Sequence, residues 1–357
     1  MFLQSIANFR AIAIILIVMG HLYSYGFVSE DQVSSTLKII ITGNTALFVF
    51  ISGFMFHSVF YSRFEYKRFM INKFKNIIVP YFILATIAVL LLYNTSSGFF
   101  STDVVYEKGI LFEGDDSNLV VFIKYFITGK FLMAYWYIPF VILIFFMSNL
   151  HYKFINISIK YQILIITLLS VISIFIHRPT ANANPLQALV YYTPIYLIGI
   201  FTSINADVIK ERFGNKLILL LLIVIVIAIV QYYTDHIDNY TKSMFEYGGF
   251  DLMFIQKVFL CVYLYLLLEK FSFNYPLVNV ISNTSFAIFF IHPWFIMVCG
   301  KLYVFLYGEI GESDYYFSSL TVYFIMLFAT LSFSVASALL VKKLFKNDKR
   351  TRYLIGY

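Results

Sequence analysis

Residues 8–27, NFRAIAIILIVMGHLYSYGF, decide the fold. A membrane span needs about 20 mostly apolar residues to cross a roughly 30 Å hydrocarbon layer, and this run is long enough. Yet Arg10 stands at one end of it and His21 well inside. A charged group at the centre of a bilayer costs on the order of 3 kcal/mol on insertion scales, and those that persist usually face a protein interior or a water-filled cavity. Two residues eleven positions apart are separated by almost three helical turns, so Arg10 and His21 project from one face, roughly 16 Å apart along the axis. Taken singly, Arg10 reads as a snorkelling anchor at the cytoplasmic boundary and His21 as a hydrogen-bonded packing residue. Taken together on one stripe, they suit a ligand that enters at one end and reacts nearer the other.

Composition points to the same solvent. The chain is 61% hydrophobic and only 13% charged, with a mean hydropathy of +0.81, which excludes a soluble globular enzyme. The expected fold class is all-α, a polytopic integral membrane protein. Ten spans are expected, near 9–27, 38–60, 77–93, 135–150, 161–177, 188–204, 217–233, 251–268, 284–300 and 317–341. Residues 119–133, interrupted by Lys124 and Lys130, are too short to cross comfortably and read as an interfacial or re-entrant amphipathic helix.

Charge sets the expected orientation, because cytoplasmic loops carry an excess of Lys and Arg. Arg63, Lys67, Arg68, Lys73 and Lys75 follow the second span, and Lys342, Lys343, Lys346, Lys349, Arg350 and Arg352 follow the last. Asp103, Glu107, Glu113, Asp115 and Asp116 outweigh Lys108 after the third, and the loops near 234–250 and 301–316 are acidic on balance. Ten spans with both termini cytoplasmic satisfy every biased loop. A single membrane domain over 1–357 is expected, with a basic cytoplasmic tail at 342–357, no cleaved signal peptide and no transporter-like internal repeat. Cys261 and Cys299 both fall in apolar segments, so neither a disulfide framework nor a metal site is expected.

Further stretches add candidates. In GNTALFVFISGFMFH (43–57), Gly43, Ser52 and Gly53 allow close helix approach, and His57 sits near the cytoplasmic exit. Ser52 lacks the G-x-S-x-G turn of a nucleophile and reads better as a packing or ligand-facing residue. The basic entry YKRFMINKFKNIIVPYF (66–82) offers Arg68, Lys73 and Lys75 to a phosphorylated ligand, although any loop of this topology would be basic. In AYWYIPF (134–140), Trp136 and Tyr137 read either as an interfacial aromatic belt or as a stacking surface for a sugar. In SFAIFFIHPWF (285–295), Pro293 frees a backbone carbonyl one turn back and is expected to kink the helix. His292 is then either a second catalytic group or the residue that satisfies the broken turn.

In order along most of the chain, the R-x10-H of Arg10 and His21, LFVFISGFMF, KFKNIIVPYF, YWYIPF, YLIGIF at 196–201 and FAIFFIHPW resemble the acyltransferase 3 family of membrane O-acyltransferases. In size and outline the chain is similar to stand-alone polysaccharide O-acetyltransferases of the kind that serves intercellular adhesin biosynthesis. The resemblance implies a multi-pass protein of a bacterial cytoplasmic membrane. It also implies an acyl-CoA donor, most often acetyl-CoA, bound from the cytoplasm, and a surface glycan or lipid-linked glycan acceptor. No permanently bound cofactor, no metal and no nucleic-acid partner are expected; the bilayer and glycan-synthesis machinery are. Arg10 and His21 are implied to be essential, and a basic pair before the third span to hold the CoA. Many relatives carry R-x-x-R where this chain has Lys73 and Asn76, so phosphate contacts would pass to Lys73, Lys75 and Arg68. Neutral imidazole can take a hydroxyl proton at physiological pH, which makes His21 the expected general base. The rival reading is an exporter of polysaccharide or lipid-linked sugar, which would need a polar path through more helices than the polar groups of this chain supply.

Overall fold

Helix α1 (Gln4–His21) forms on the opening apolar run and is largely buried, its polar stripe turned toward other helices rather than outward. The structure, a computed structural model, describes residues 4–23, 32–94, 117–236, 241–307, 319–346 and 351–356. The acidic-loop residues 103–116, positions 24–27 of the first expected span, residues 308–318, and Lys349 and Arg350 lie outside these.

The remaining elements are helical apart from one two-residue strand pair. They are α2 (Gln32–Ile41), α3 (Thr45–Met55), α4 (Tyr66–Lys73), α5 (Val79–Asn94), α6 (Asn118–Thr128), α7 (Tyr137–Phe146), α8 (Ser148–Ile155) and α9 (Ile159–Ile176). After β1 (Arg178–Pro179) come α10 (Pro185–Ile204), α11 (Ala206–Phe213) and α12 (Leu217–Tyr233). β2 (Thr241–Lys242) precedes α13 (Leu252–Lys270), α14 (Pro276–Tyr307), α15 (Leu320–Leu344) and a short α16 (Arg352–Ile355). Eight helical stretches are long and apolar enough to cross a membrane, and ten if α7 with α8 (bent by 56°) and α11 with α12 (bent by 85°) each count as one span. The chain is therefore a polytopic membrane protein of the expected class. Helices α9 and α15 leave most of their apolar surface exposed, where lipid replaces a protein partner.

The second expected span differs from its reading as one continuous run over 38–60. Helix α2 begins at Gln32 and stops at Ile41, and Gly43 takes a left-handed φ of 70° before α3 starts. The carbonyls freed at the break are taken up locally. Asn44 Nδ2 donates to Ile40 O (3.2 Å) and Ile41 O (2.8 Å), and the buried Lys257 ammonium on α13 donates to Ile39 O (3.0 Å) and Ile40 O (2.9 Å). A cation at a helix C-terminus is also favoured by the helix dipole.

Helix α6 has eleven residues, about 16 Å of rise, which falls short of the hydrocarbon thickness. Gly129 closes it in the left-handed conformation. Close packing of α3 on α10 depends on two glycines: a Cβ at Gly53 would overlap Tyr196 O, and one at Gly199 would overlap Phe50 O. Close approach thus falls to Gly53 and its partner Gly199, whereas Gly43 serves the turn and Ser52 faces a cavity.

Candidate active site

Helices α1 and α14 lie side by side and meet in three successive places. Gln4 Nε2 donates to Asn279 Oδ1 (3.0 Å), Arg10 Nη2 donates to Ser285 Oγ (2.9 Å), and the rings of His21 and His292 face each other at 5.3 Å between centroids, tilted by 31°. Both residue numbers rise together, so the helices run parallel. Ser285 precedes His292 by two turns and shares its face, as Arg10 shares that of His21.

Helix α14 continues through Pro293 without an assigned break. Proline removes the N–H that would have reached Phe289 O. The His292 ring compensates: its Nδ1 lies 2.8 Å from Ile288 O and also interacts with the Phe289 carbonyl. A ring nitrogen against a carbonyl must carry the proton, so Nδ1 donates and Nε2 is left with its lone pair. His292 is fully buried, and that Nε2 has no hydrogen-bond partner among the described residues. The two sequence readings of His292 are thus compatible, since one nitrogen repairs the turn and the other, in a ring packed against His21, has no partner among the described residues.

The aromatic motif at 134–140 is not a lipid-facing belt. Tyr135, Trp136 and Tyr137 are all buried, because each has a partner within the bundle. Tyr135 donates to Phe290 O (2.9 Å) and accepts from Trp294 Nε1 (3.0 Å), which ties this motif to the HPW of α14. Trp136 stacks on Phe140, and the Arg178 guanidinium lies 5.3 Å from its ring centre. Tyr137 hydrogen-bonds the Ser52 side chain.

Arg178 belongs to a knot of loops over this end of the bundle. It is buried and donates to Asn182 Oδ1 (2.8 Å). It opens strand β1, which pairs in parallel with β2, Arg178 opposite Thr241. Gln187 Nε2 ties the knot to α10, donating to Ile176 O (3.2 Å), His177 O (3.3 Å) and Lys242 O (3.0 Å). His177, Ala181 and Asn182 all have positive φ, a strained conformation for residues with a Cβ.

Three hollows share walls from one end of this arrangement to the other. Arg63, Phe64, Glu65 and Arg68 line a groove that shares Phe60, Phe69 and Asn72 with a cavity of about 730 Å³. Arg10, Lys73, Lys342 and Arg352 all line that cavity, and none of its described lining residues is acidic. It shares Phe48, Tyr137 and Phe286 with a chamber of about 20 Å³ that holds His21, Thr45 and Trp136. Lys73 is held in a cage of Phe60, Phe69 and Phe145 rings at 5.0, 5.1 and 4.5 Å.

Of the residues singled out in the sequence, Arg10, Ser52, Lys73 and Tyr137 line the cavity, and His21, Trp136 and Tyr137 line the chamber, with His292 packed on His21. Arg68 lines only the outer groove, and Lys75 lines none of the three hollows. His57 lies apart, hydrogen-bonded with Ser203 Oγ at 2.9 Å. Sequence reading missed Ser285, Arg178 and the cavity position of Lys342 and Arg352. Ser285 was open to detection, being two turns from His292; nothing local distinguishes Arg178 from a surface arginine. Among the described residues no three His, Cys, Asp or Glu side chains gather as metal ligands, and Cys261 and Cys299 are free thiols.

A family model described as "Acyltransferase domain" matches residues 3–339. No match is found among curated proteins or among solved structures.

Proposed function

The chain belongs to the family defined by that acyltransferase domain, and from this premise we propose that it moves an acetyl group from acetyl-CoA to a hydroxyl of a cell-surface polysaccharide or its lipid-linked precursor. The observation that carries the reading is the order of the hollows: a basic cavity large enough for a phosphorylated donor abuts a small chamber that holds a histidine. Cationic side chains bind phosphate oxygens by charge and hydrogen bonding. Arg10 and Lys73 take the phosphates of the donor, and the slender pantetheine arm runs along α1 toward His21, about 16 Å away. Phe48, Tyr137 and Phe286, common to both hollows, line the way to the chamber, which at about 20 Å³ has to widen to take the thioester and the acceptor hydroxyl.

In the chamber the acceptor hydroxyl attacks the thioester carbonyl. The new carbon–oxygen bond forms, the carbon–sulfur bond breaks, and the hydroxyl proton passes to the His21 imidazole and on to the departing thiolate. His292, its ring packed against that of His21 and its Nε2 carrying the lone pair, orients that ring and shares the proton. Trp136, held by the Phe140 ring and the Arg178 guanidinium, lines the chamber and meets the acceptor sugar with its edge. Positive charge at 63–75 and 342–352 favours the cytoplasm for the cavity mouth and both termini, in a bacterial plasma membrane, so the acceptor is met on the outer side.

The test uses membranes with and without the protein, labelled acetyl-CoA on the cytoplasmic side, and base-labile label counted on the surface glycan. Label that depends on the protein supports the reading. No transfer from any acyl-CoA, combined with glycan that fails to reach the surface without the protein, would replace it by an export role.

A further inference from the structure

We infer that the segment Thr351–Gly356 is a wall of the donor site, and that its Arg352, with Lys342 at the end of α15, binds the phosphate groups of the acyl donor. This rests on the donor reading above and extends it to a part of the chain that reads in sequence only as a basic tail.

The segment is docked rather than free. Thr351 is 3% exposed and Ile355 9%, and Ile355 packs on Ala287 of α14 and Ala338 of α15. Helix α16 rests against α5, the turn over 74–78, and α14. Gly356, at a φ of 77°, fits so tightly that a Cβ there would lie 2.5 Å from Phe286 Cδ1. Phe286 is a wall common to the cavity and the His21 chamber, so this contact reaches from the tail to the edge of the reaction space.

Charge gives the segment its purpose. Arg352 lies near enough to Arg10 for their positive charges to oppose each other, and so does Lys73. Among the described residues no carboxylate forms an ion pair with Arg10, Lys73 or Arg352. Four cations around one hollow repel one another at a cost that rises as water is excluded, unless an anion lies among them. A ligand with several phosphates, such as the nucleotide end of an acyl-CoA, supplies several negative charges at once. Arginine suits the position because its planar fork meets two phosphate oxygens together, whereas lysine offers a point charge.

The experiment measures equilibrium binding of CoA, and of pantetheine as a fragment without phosphate, to the full chain in neutral-lipid nanodiscs. Wild type is compared with Arg352→Gln, Arg352→Lys and Lys346→Gln, the last removing a tail charge that does not line the cavity. Expected is a loss of about tenfold or more in CoA affinity for Arg352→Gln, partial recovery for Arg352→Lys, no loss for Lys346→Gln, and unchanged pantetheine binding throughout. Equal CoA affinity in wild type and Arg352→Gln, or equal losses in Arg352→Gln and Lys346→Gln, would overturn the assignment while leaving the donor reading intact. Failure of the wild type to bind CoA would remove the donor reading itself. Displacement of CoA on adding phosphatidylglycerol to the nanodiscs would instead assign the cations to a lipid headgroup.

Discussion

The rings of His292 and His21 lie 5.3 Å apart between centroids, with the Nδ1 of His292 committed to Ile288 O at 2.8 Å and its Nε2 without a hydrogen-bond partner among the described residues. The helix carbonyls left exposed by Pro293 thereby fix the tautomer of the histidine before it. A phenyl ring keeps the volume of an imidazole and removes both nitrogens. We expect His292→Phe to lower acyl transfer by about 100-fold, within the range of a lost acid–base group, with CoA affinity unchanged. Transfer that falls only as far as the folded fraction would reduce His292 to a repair of the turn.

Tyr135 joins two sequence motifs through one hydroxyl, donating to Phe290 O and accepting from Trp294 Nε1. Tyr135→Phe leaves the Trp294 indole N–H without its partner and removes the second bond to Phe290 O, which keeps its helical one. Thermal unfolding of the purified protein should show a destabilisation of about 1–3 kcal/mol. An unchanged melting temperature would mean that water takes over both bonds.

The Arg178 guanidinium lies over Trp136 and donates to Asn182 Oδ1. Lysine keeps the charge but neither the plane nor the fork. Arg178→Lys should raise KM for the acceptor several-fold with little change in KM for the donor, because the acceptor side is where Trp136 is held. An equal rise for both substrates would point instead to general loosening of the bundle.

Gly53 and Gly199 stand at the crossing of α3 and α10, where backbone carbonyls occupy the space a Cβ needs. Gly53→Ala and Gly199→Ala force the helices apart and should each destabilise the protein by about 1–3 kcal/mol or more. Gly249→Ala meets open space and carries only the strain of its positive φ, so it should cost about 1 kcal/mol. Melting temperatures of the three variants, compared under one detergent, test the order.

Much of this was legible in sequence because hydrophobic run length and helical periodicity are local. The eleven-residue spacing of Arg10 and His21 fixed their common face, and the expected spans fall on eight long apolar helical stretches, ten if the two bent pairs each count as one. What sequence could not supply was contact between distant segments. The break after Ile41 depends on Gly43 and on a lysine that arrives from α13, and a continuous apolar run gives no sign of it. Trp136 read as well as a lipid-facing anchor until its burial against Arg178 was seen. Arg352 read as one more tail charge, and only the packing of Ile355 and Gly356 brings it to the cavity.

The most direct measurement follows label from acetyl-CoA to a glycan acceptor with purified wild type and His21→Ala in the same lipid, alongside CoA affinity for each. We expect the variant to bind CoA as the wild type does and to transfer at least about 100-fold more slowly. Transfer by His21→Ala at the wild-type rate would contradict the central claim, that this histidine takes the proton of the acceptor hydroxyl.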